Sequence, residues 1–293
     1  VDPDHEIQSL HQFYGGHAAV EVSALVTETY ARLHRDWYRD GETETVDLYR
    51  EYNLLSKKAR TIVEHVGELV DEDDPYRRNF TVVEEKLQPN LKPRFCPEVD
   101  IPWYDPVAFL RTWPRSNLAV PVFRSTVHGD LNARNLLIEI GESGQKFIWF
   151  IDFSHTGNGL SRVRTAEAAR EGVLGDEARG HTLRDFCRLE ADVKFILTRL
   201  CSKSDLSLAV DFEKVLLSPE VAGRDAYVAS APVEALRDRR FRKAWHVVQE
   251  IRARAVDYLI NADDWRPYWL SLLHATLPIV YYHPDQFDSA TCE

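Results

Sequence analysis

Val127-His128-Gly129-Asp130-Leu131-Asn132-Ala133-Arg134-Asn135, followed further along by Ile151-Asp152-Phe153, is the stretch that decides the fold. The apolar run 120–127 that leads into it predicts an extended strand. Residues 136–140 and 146–151 predict two more short strands. Gly141-Glu142-Ser143-Gly144-Gln145 between them has the turn chemistry of a hairpin. The order is therefore strand, loop, strand, turn, strand, with Asp130 and Asn135 in the loop and Asp152 just beyond the hairpin. A turn that reverses the chain returns the residue after its second strand to the loop before its first. Asp152 is thus expected beside Asn135 despite their separation in sequence.

Outward from this centre the chain turns helical. Val22, Leu25, Val26, Tyr30, Leu33 and Trp37 recur at helical spacing and predict an amphipathic helix over 18–38. A second helix is expected from Leu48 to Val70, ended by Asp71-Glu72-Asp73-Asp74 and Pro75. Four acids at a helix C-terminus oppose the dipole, so they belong to the following loop, as a solvated turn rather than a metal site. Residues 75–120 carry seven prolines and no sustained period, and predict an irregular connection with packed aromatics. On the other side, residues 154–180 form a Gly- and Arg-bearing insertion. Helices are expected over 181–201, 232–260 and 266–281. The fold class expected is α+β, mainly helical, divided into a helical part with its connection over 1–119 and the loop, hairpin and C-terminal helices over 120–293.

Composition sets bounds on function. The 293 residues are 44% hydrophobic and 28% charged, which is ordinary for a globular protein. A formal net charge of -11 argues against nucleic acid and anionic membrane as partners. The four cysteines, Cys96, Cys187, Cys201 and Cys292, are too dispersed for a disulfide framework or a zinc site. With no signal-peptide pattern, a cytoplasmic protein is expected. The apolar stretch 269–282 is interrupted by His274, Thr276 and Pro278 and is too short to span a bilayer. The chain contains no methionine, so a segment of a longer protein is expected.

An amide oxygen from Asn135 and a carboxylate from Asp152 suit magnesium, a hard cation that takes phosphate oxygens as remaining ligands. Asp130 would then sit on the acceptor side, poised over a hydroxyl. The ordered set His128-Gly129-Asp130-Leu131 through Asn135, with Ile151-Asp152-Phe153, resembles the catalytic and metal-binding loops of the protein-kinase-like superfamily. It is most similar to the aminoglycoside phosphotransferase and choline kinase branch, which has glycine where protein kinases usually carry arginine. That resemblance implies Asp130 as catalytic base, Asn135 and Asp152 as magnesium ligands, and His128 as a brace for the metal loop. The later stretch Gly180-His181-Thr182-Leu183-Arg184-Asp185 resembles the following helix of that branch and implies Asp185 as a strut under the catalytic loop. The wording of the region is also similar to kinase-like ternary complex associated domains of bacterial conflict systems.

The function implied is an ATP- and Mg2+-dependent phosphotransferase acting on a hydroxyl of a small-molecule acceptor, with a kinase-like large lobe as its fold. A non-catalytic binding or scaffold module with protein partners is the alternative. Arg134 and Asn132 are weaker candidates for phosphate or substrate contacts, and for Arg134 a surface or intraloop salt bridge is an equal reading. His155 reads as an ordinary loop histidine. The basic run 237–243 looks like a nucleic-acid patch, but neighbouring acids favour a solvated helix face. A complete kinase also needs a Gly-rich loop and a strand lysine over the phosphates. Neither occurs: Gly157-Asn158-Gly159 lacks a third glycine, and the first 70 residues predict helices. The small lobe is accordingly expected to be absent or incomplete.

Overall fold

The computed structural model describes residues 6–52, 119–153, 156, 179–217 and 235–281. It is an α+β protein with two small antiparallel sheets among helices. The first sheet contains β1 (Glu6–Ser9), β4 (Leu136–Ile140) and β5 (Lys146–Phe150), in the order β1-β4-β5. The second is ordered β2-β3-β6, from β2 (Glu42–Asp47), β3 (Ala119–Thr126) and β6 (Arg179–His181). The sheets are linked through the chain itself, since β3 runs directly into the 127–135 loop and that loop into β4.

The expected hairpin is present. β4 and β5 pair antiparallel with Leu136 opposite Phe150 and Ile140 opposite Lys146. Its turn closes by Gly141 N–H to Gln145 O at 2.9 Å and Gly144 N–H to Gly141 O at 2.8 Å, with Gly144 in the left-handed region at φ 76°. Leu136, Ile138 and Ile148 point into the core, as the two-residue period of a half-buried strand requires.

The first helices begin with β1. Ser9 caps α1 (Leu10–Gly16) in a reciprocal box, its hydroxyl accepting from Gln12 N–H while Gln12 Oε1 accepts from Ser9 N–H. In α2 (Ala19–Leu33), Val22, Leu25, Val26, Thr29, Tyr30 and Leu33 form the buried stripe. A π-helical turn, His34–Tyr38, then swings Trp37 and Tyr38 toward the central loop. After β2 comes the short α3 (Leu48–Glu51).

α4 (Leu183–Asp192) follows β6 and continues as a π-helical turn to Leu197. α5 (Lys203–Leu216), α6 (Arg239–Ala255) and α7 (Arg266–Thr276) follow among the described residues. α6 packs on α2, and α7 packs on α4. One hydrophobic core runs through these elements, from Leu10 and Phe13 through Val127, Leu131 and Phe186 to Val248 and Tyr268.

Several expectations are corrected. β1 and β2 interrupt the predicted all-helical start, because strands this short and polar carry no alternation of their own. Arg179–His181 form a strand, so the helix expected from His181 starts at Leu183, and α5 was not anticipated. Of the predicted second helix, residues 48–52 lie within the described residues, and Leu48–Glu51 are helical. The acidic run 71–74, nearly all of the proline-rich connection, His155 and the Gly- and Arg-bearing insertion short of Arg179 lie outside them, apart from Thr156. Of the cysteines, Cys187 is buried and free while Cys201 is disulfide-bonded. Among the described residues, no helix is long and apolar enough to cross a membrane.

Candidate active site

The 127–135 loop is fixed by an alternation of its own. Val127, Leu131 and Ala133 are buried among the core side chains. The residues between them carry the polar groups. The burial of three apolar anchors in nine residues gives an irregular segment a defined path without secondary structure.

Its backbone donors are then satisfied from α4. Asp185, fully buried, accepts from His128 N–H through Oδ2 and from Gly129 N–H through Oδ1, both at 2.8 Å. Tyr38 adds its hydroxyl to Oδ2 at 2.9 Å. One carboxylate thus ties the loop to α4 and to the end of the α2 segment. Burial pushes the Asp185 carboxyl up from the ordinary carboxylate range, opposed by the charge of His128 and by these three donors. Gly129 stands at φ 83°, a left-handed conformation that a side chain would strain.

Further along the loop, Asp130 O accepts from Asn132 N–H at 2.8 Å and from Asn135 Nδ2 at 2.9 Å. Asn132 Oδ1 accepts from the N–H groups of Arg134 and Asn135, at 2.9 and 3.2 Å. Asn132 therefore spends its side-chain oxygen on the loop itself, an Asx-type turn. Arg134 is exposed. Asn135 is nearly buried, and its amide orientation is set by the bond from Nδ2, which leaves Oδ1 as the atom suited to a cation.

The hairpin brings its exit strand back as the sequence predicts. Ile151 N–H donates to Asn135 O at 3.0 Å, and Ile151 O bonds His128 Nε2 at 2.8 Å. The residue before Asp152 is thus stitched between Asn135 and His128. The rings of His128, Trp37 and Phe153 form a triangle, with Trp37 and Phe153 centroids 6.2 and 5.4 Å from His128 and 5.7 Å from each other. Asp152 follows at φ 57°, exposed, and is the one non-glycine residue with positive φ among the described residues. Aspartate tolerates that region better than most residues, and strain of this kind concentrates where a side chain must be aimed.

Three residues of the site were missed in the sequence. Arg188 Nε donates to Asp130 Oδ1 at 2.6 Å, and its Nη1 stands 3.5 Å from Asp192 Oδ1. Asp192 Oδ2 in turn accepts from Ala133 N–H at 2.8 Å. Burial pushes the Asp192 carboxyl up, with the Arg188 charge acting against it. Asp185, Arg188 and Asp192 are spaced three and four apart, so one face of α4 supports the whole loop. That spacing was legible and carried the signal. Tyr38 had no such signal, because a π-helical turn decides where it points.

Among the described residues, no group of three or more His, Cys, Asp or Glu side chains is placed to hold a metal ion. That is compatible with magnesium, which needs only one or two protein ligands and completes its shell with water and phosphate oxygens. Asn135 Oδ1 and the exposed Asp152 carboxylate are donors of the right chemistry for that role. No protein-family model, curated protein or solved structure matches the chain.

Proposed function

We propose that the chain carries the acceptor- and metal-handling half of an ATP-dependent phosphotransferase with a kinase-like large lobe. The observation that carries this reading is the double stitch of Ile151 to Asn135 O and His128 Nε2. It ties the segment bearing Asp152 to the loop bearing Asp130 and Asn135, the arrangement such a site needs. Asp130 accepts the proton of an acceptor hydroxyl as that oxygen bonds the γ-phosphorus. The bond to the β-bridging oxygen breaks, and ADP leaves. Asn135 and Asp152 would hold magnesium, which supplies charge neutralisation of the triphosphate. A small molecule is the acceptor class favoured.

A second reading, a kinase-derived binding or scaffold module, is favoured by one observation. Arg188 engages the Asp130 carboxylate at 2.6 Å with only 12% of its own side chain exposed, which holds a base in a charge-assisted bond of its own.

The two are separated by magnesium-dependent ATP binding and phosphate release or transfer, in wild type and Asp152→Asn. The phosphotransferase reading expects magnesium-dependent affinity that Asp152→Asn weakens, together with turnover. Equal affinity in both proteins, with no release or transfer in either, would sink it.

A further inference from the structure

The basic run noted in the sequence begins α6, and the structure gives it a cavity. A space of about 430 Å³ opens between the C-terminal end of α1 and the N-terminal turns of α6, lined by Gly15, Gly16, Arg199, Arg239, Arg240 and Lys243 among others. We propose that this cavity binds the phosphate group of a small phosphomonoester through Arg239 and Lys243.

The argument begins with charges that local structure does not explain. The first turn of α6 contains no acid, while Arg239, Arg240, Arg242 and Lys243 place four cations at the positive end of the helix dipole. Cations there are unfavourable. Arg239 and Lys243 are also one helical turn apart, a like-charge pair that costs further stability.

Arg240 is accounted for by the protein. It is ion-paired with Asp205 at 2.9 Å and with the N-cap Asp238 at 2.7 Å. No carboxylate pairs with Arg239 or Lys243 among the described residues. Lys243 Nζ donates instead to the carbonyls of Tyr14 and His17 at the end of α1. An ammonium has three donors; these carbonyls take two, and Nζ also stands 4.4 Å from the centroid of the Tyr14 ring. Burial, followed by the Arg239 charge, lowers the Lys243 ammonium from its ordinary value, with Glu21 the one acid acting in the opposite sense. A bound anion relieves both unfavourable interactions at once.

Two positive charges without carboxylate partners match a dianion better than a carboxylate, which a single arginine satisfies. The volume admits a phosphoryl group with a small organic substituent and excludes little else. Gly15 and Gly16 line the opposite wall, with open space where a Cβ at either would stand. Neither Asp130 nor Asp152 lines this cavity, although His11, which does, donates its N–H to Ala133 O at 3.0 Å. The cavity also bears on the sequence alternatives for the basic run: Phe241 turns into the core, Arg242 is exposed, neither Arg237 nor Arg242 lines the cavity, and Arg239, Arg240 and Lys243 do.

The test is titration of the full chain with inorganic phosphate at fixed ionic strength, followed by 31P NMR and calorimetry. Saturable binding is expected in wild type, and Arg239→Gln should weaken it by about tenfold or more, as loss of one charge-assisted contact does. Lys243→Gln should weaken it comparably, with a thermal melt to confirm that α1 remains docked. Arg242→Gln removes the same charge from the same helix without lining the cavity and should bind as wild type does. Asp152→Asn should also leave phosphate binding unchanged. No saturable binding, equal affinity in Arg239→Gln, or loss in Asp152→Asn would overturn the proposal. So would binding of a short single-stranded oligonucleotide in the absence of phosphate binding.

Discussion

Arg188 Nε and Asp130 Oδ1 lie 2.6 Å apart, so the carboxylate proposed as the base is held by a cation from the helix that supports its loop. Arg188 also faces Asp192, which caps Ala133 N–H. Arg188 is on this geometry a positioning residue, since it fixes both Asp130 and the loop. Under the phosphotransferase reading, Arg188→Met should lower kcat by about ten- to a hundredfold, within the range ascribed to a correctly held general base. The KM for ATP should stay unchanged, and Arg188→Lys should recover part of the loss. Steady-state kinetics check this. A rise in kcat would instead mark the pair as a restraint on the base.

How far the site could be read in advance depended on where each piece lies. The loop and hairpin were legible because turn chemistry and short apolar runs are local. Arg188 and Asp192 follow Asp185 at helical spacing, three and then four residues on, which is a local signal. Tyr38, β1 and β2 were not legible on any local ground. β2 is a polar strand whose partner β3 stands far along the chain, paired Glu42 to Arg124 and Asp47 to Ala119. Its place is fixed by tertiary pairing, which no window of sequence contains.

Asp185 is the most consequential single support. Asp185→Ala should destabilise the fold by about 3–5 kcal/mol, because it strands two buried backbone N–H groups and the Tyr38 hydroxyl together. Tyr38→Phe removes one of those three bonds and should cost about 1–2 kcal/mol. Gly129→Ala should cost about 1–2 kcal/mol for forcing a Cβ into the left-handed region. Urea denaturation should show Asp185→Ala as the least stable of the three variants, and an Asp185→Ala protein as stable as Tyr38→Phe would contradict the strut assignment.

A second buried charge network braces the helices away from the site. Arg252 and Glu190 have fully buried side chains and are joined through two hydrogen bonds, at 2.6 and 2.9 Å. Lys194 and Tyr268 complete the surroundings of Glu190. Burial pushes the Glu190 carboxyl up, but Arg252 and Lys194 outweigh it and hold it below its ordinary value. Arg252→Met should cost about 3–5 kcal/mol, since it leaves a buried carboxylate short of its main partner. Replacing both, Arg252→Met with Glu190→Leu, should recover at least half of that loss. A double variant no better than the single one would show that the pair itself, rather than the stranded charge, sets the cost.

Acid should unfold this protein through two histidines that the site does not use. His181 and His274 are buried, and each is pushed down from 6.5 to about 3, chiefly by burial. The Arg184 charge acts in the same direction on both. In the unfolded chain they protonate below about pH 6.5, while in the folded protein they stay neutral to about pH 3. The unfolded state therefore binds more protons throughout that window. The stability these groups contribute is complete above pH 6.5 and falls as pH drops toward 3, by up to about 1.4 kcal/mol per pH unit for each. His274 offers a clean test. Its ring stacks on Tyr52 with centroids 4.6 Å apart and planes 4° from parallel, and neither ring nitrogen has a hydrogen-bond partner. His274→Phe keeps the stacking and removes two unsatisfied buried polar atoms, so stability at pH 7.5 should hold or rise by about 1–2 kcal/mol. The slope of stability against pH between 6 and 4 should fall by about 1.4 kcal/mol per unit. An unchanged slope in guanidinium titrations across that range would mean that His274 protonates without unfolding the protein.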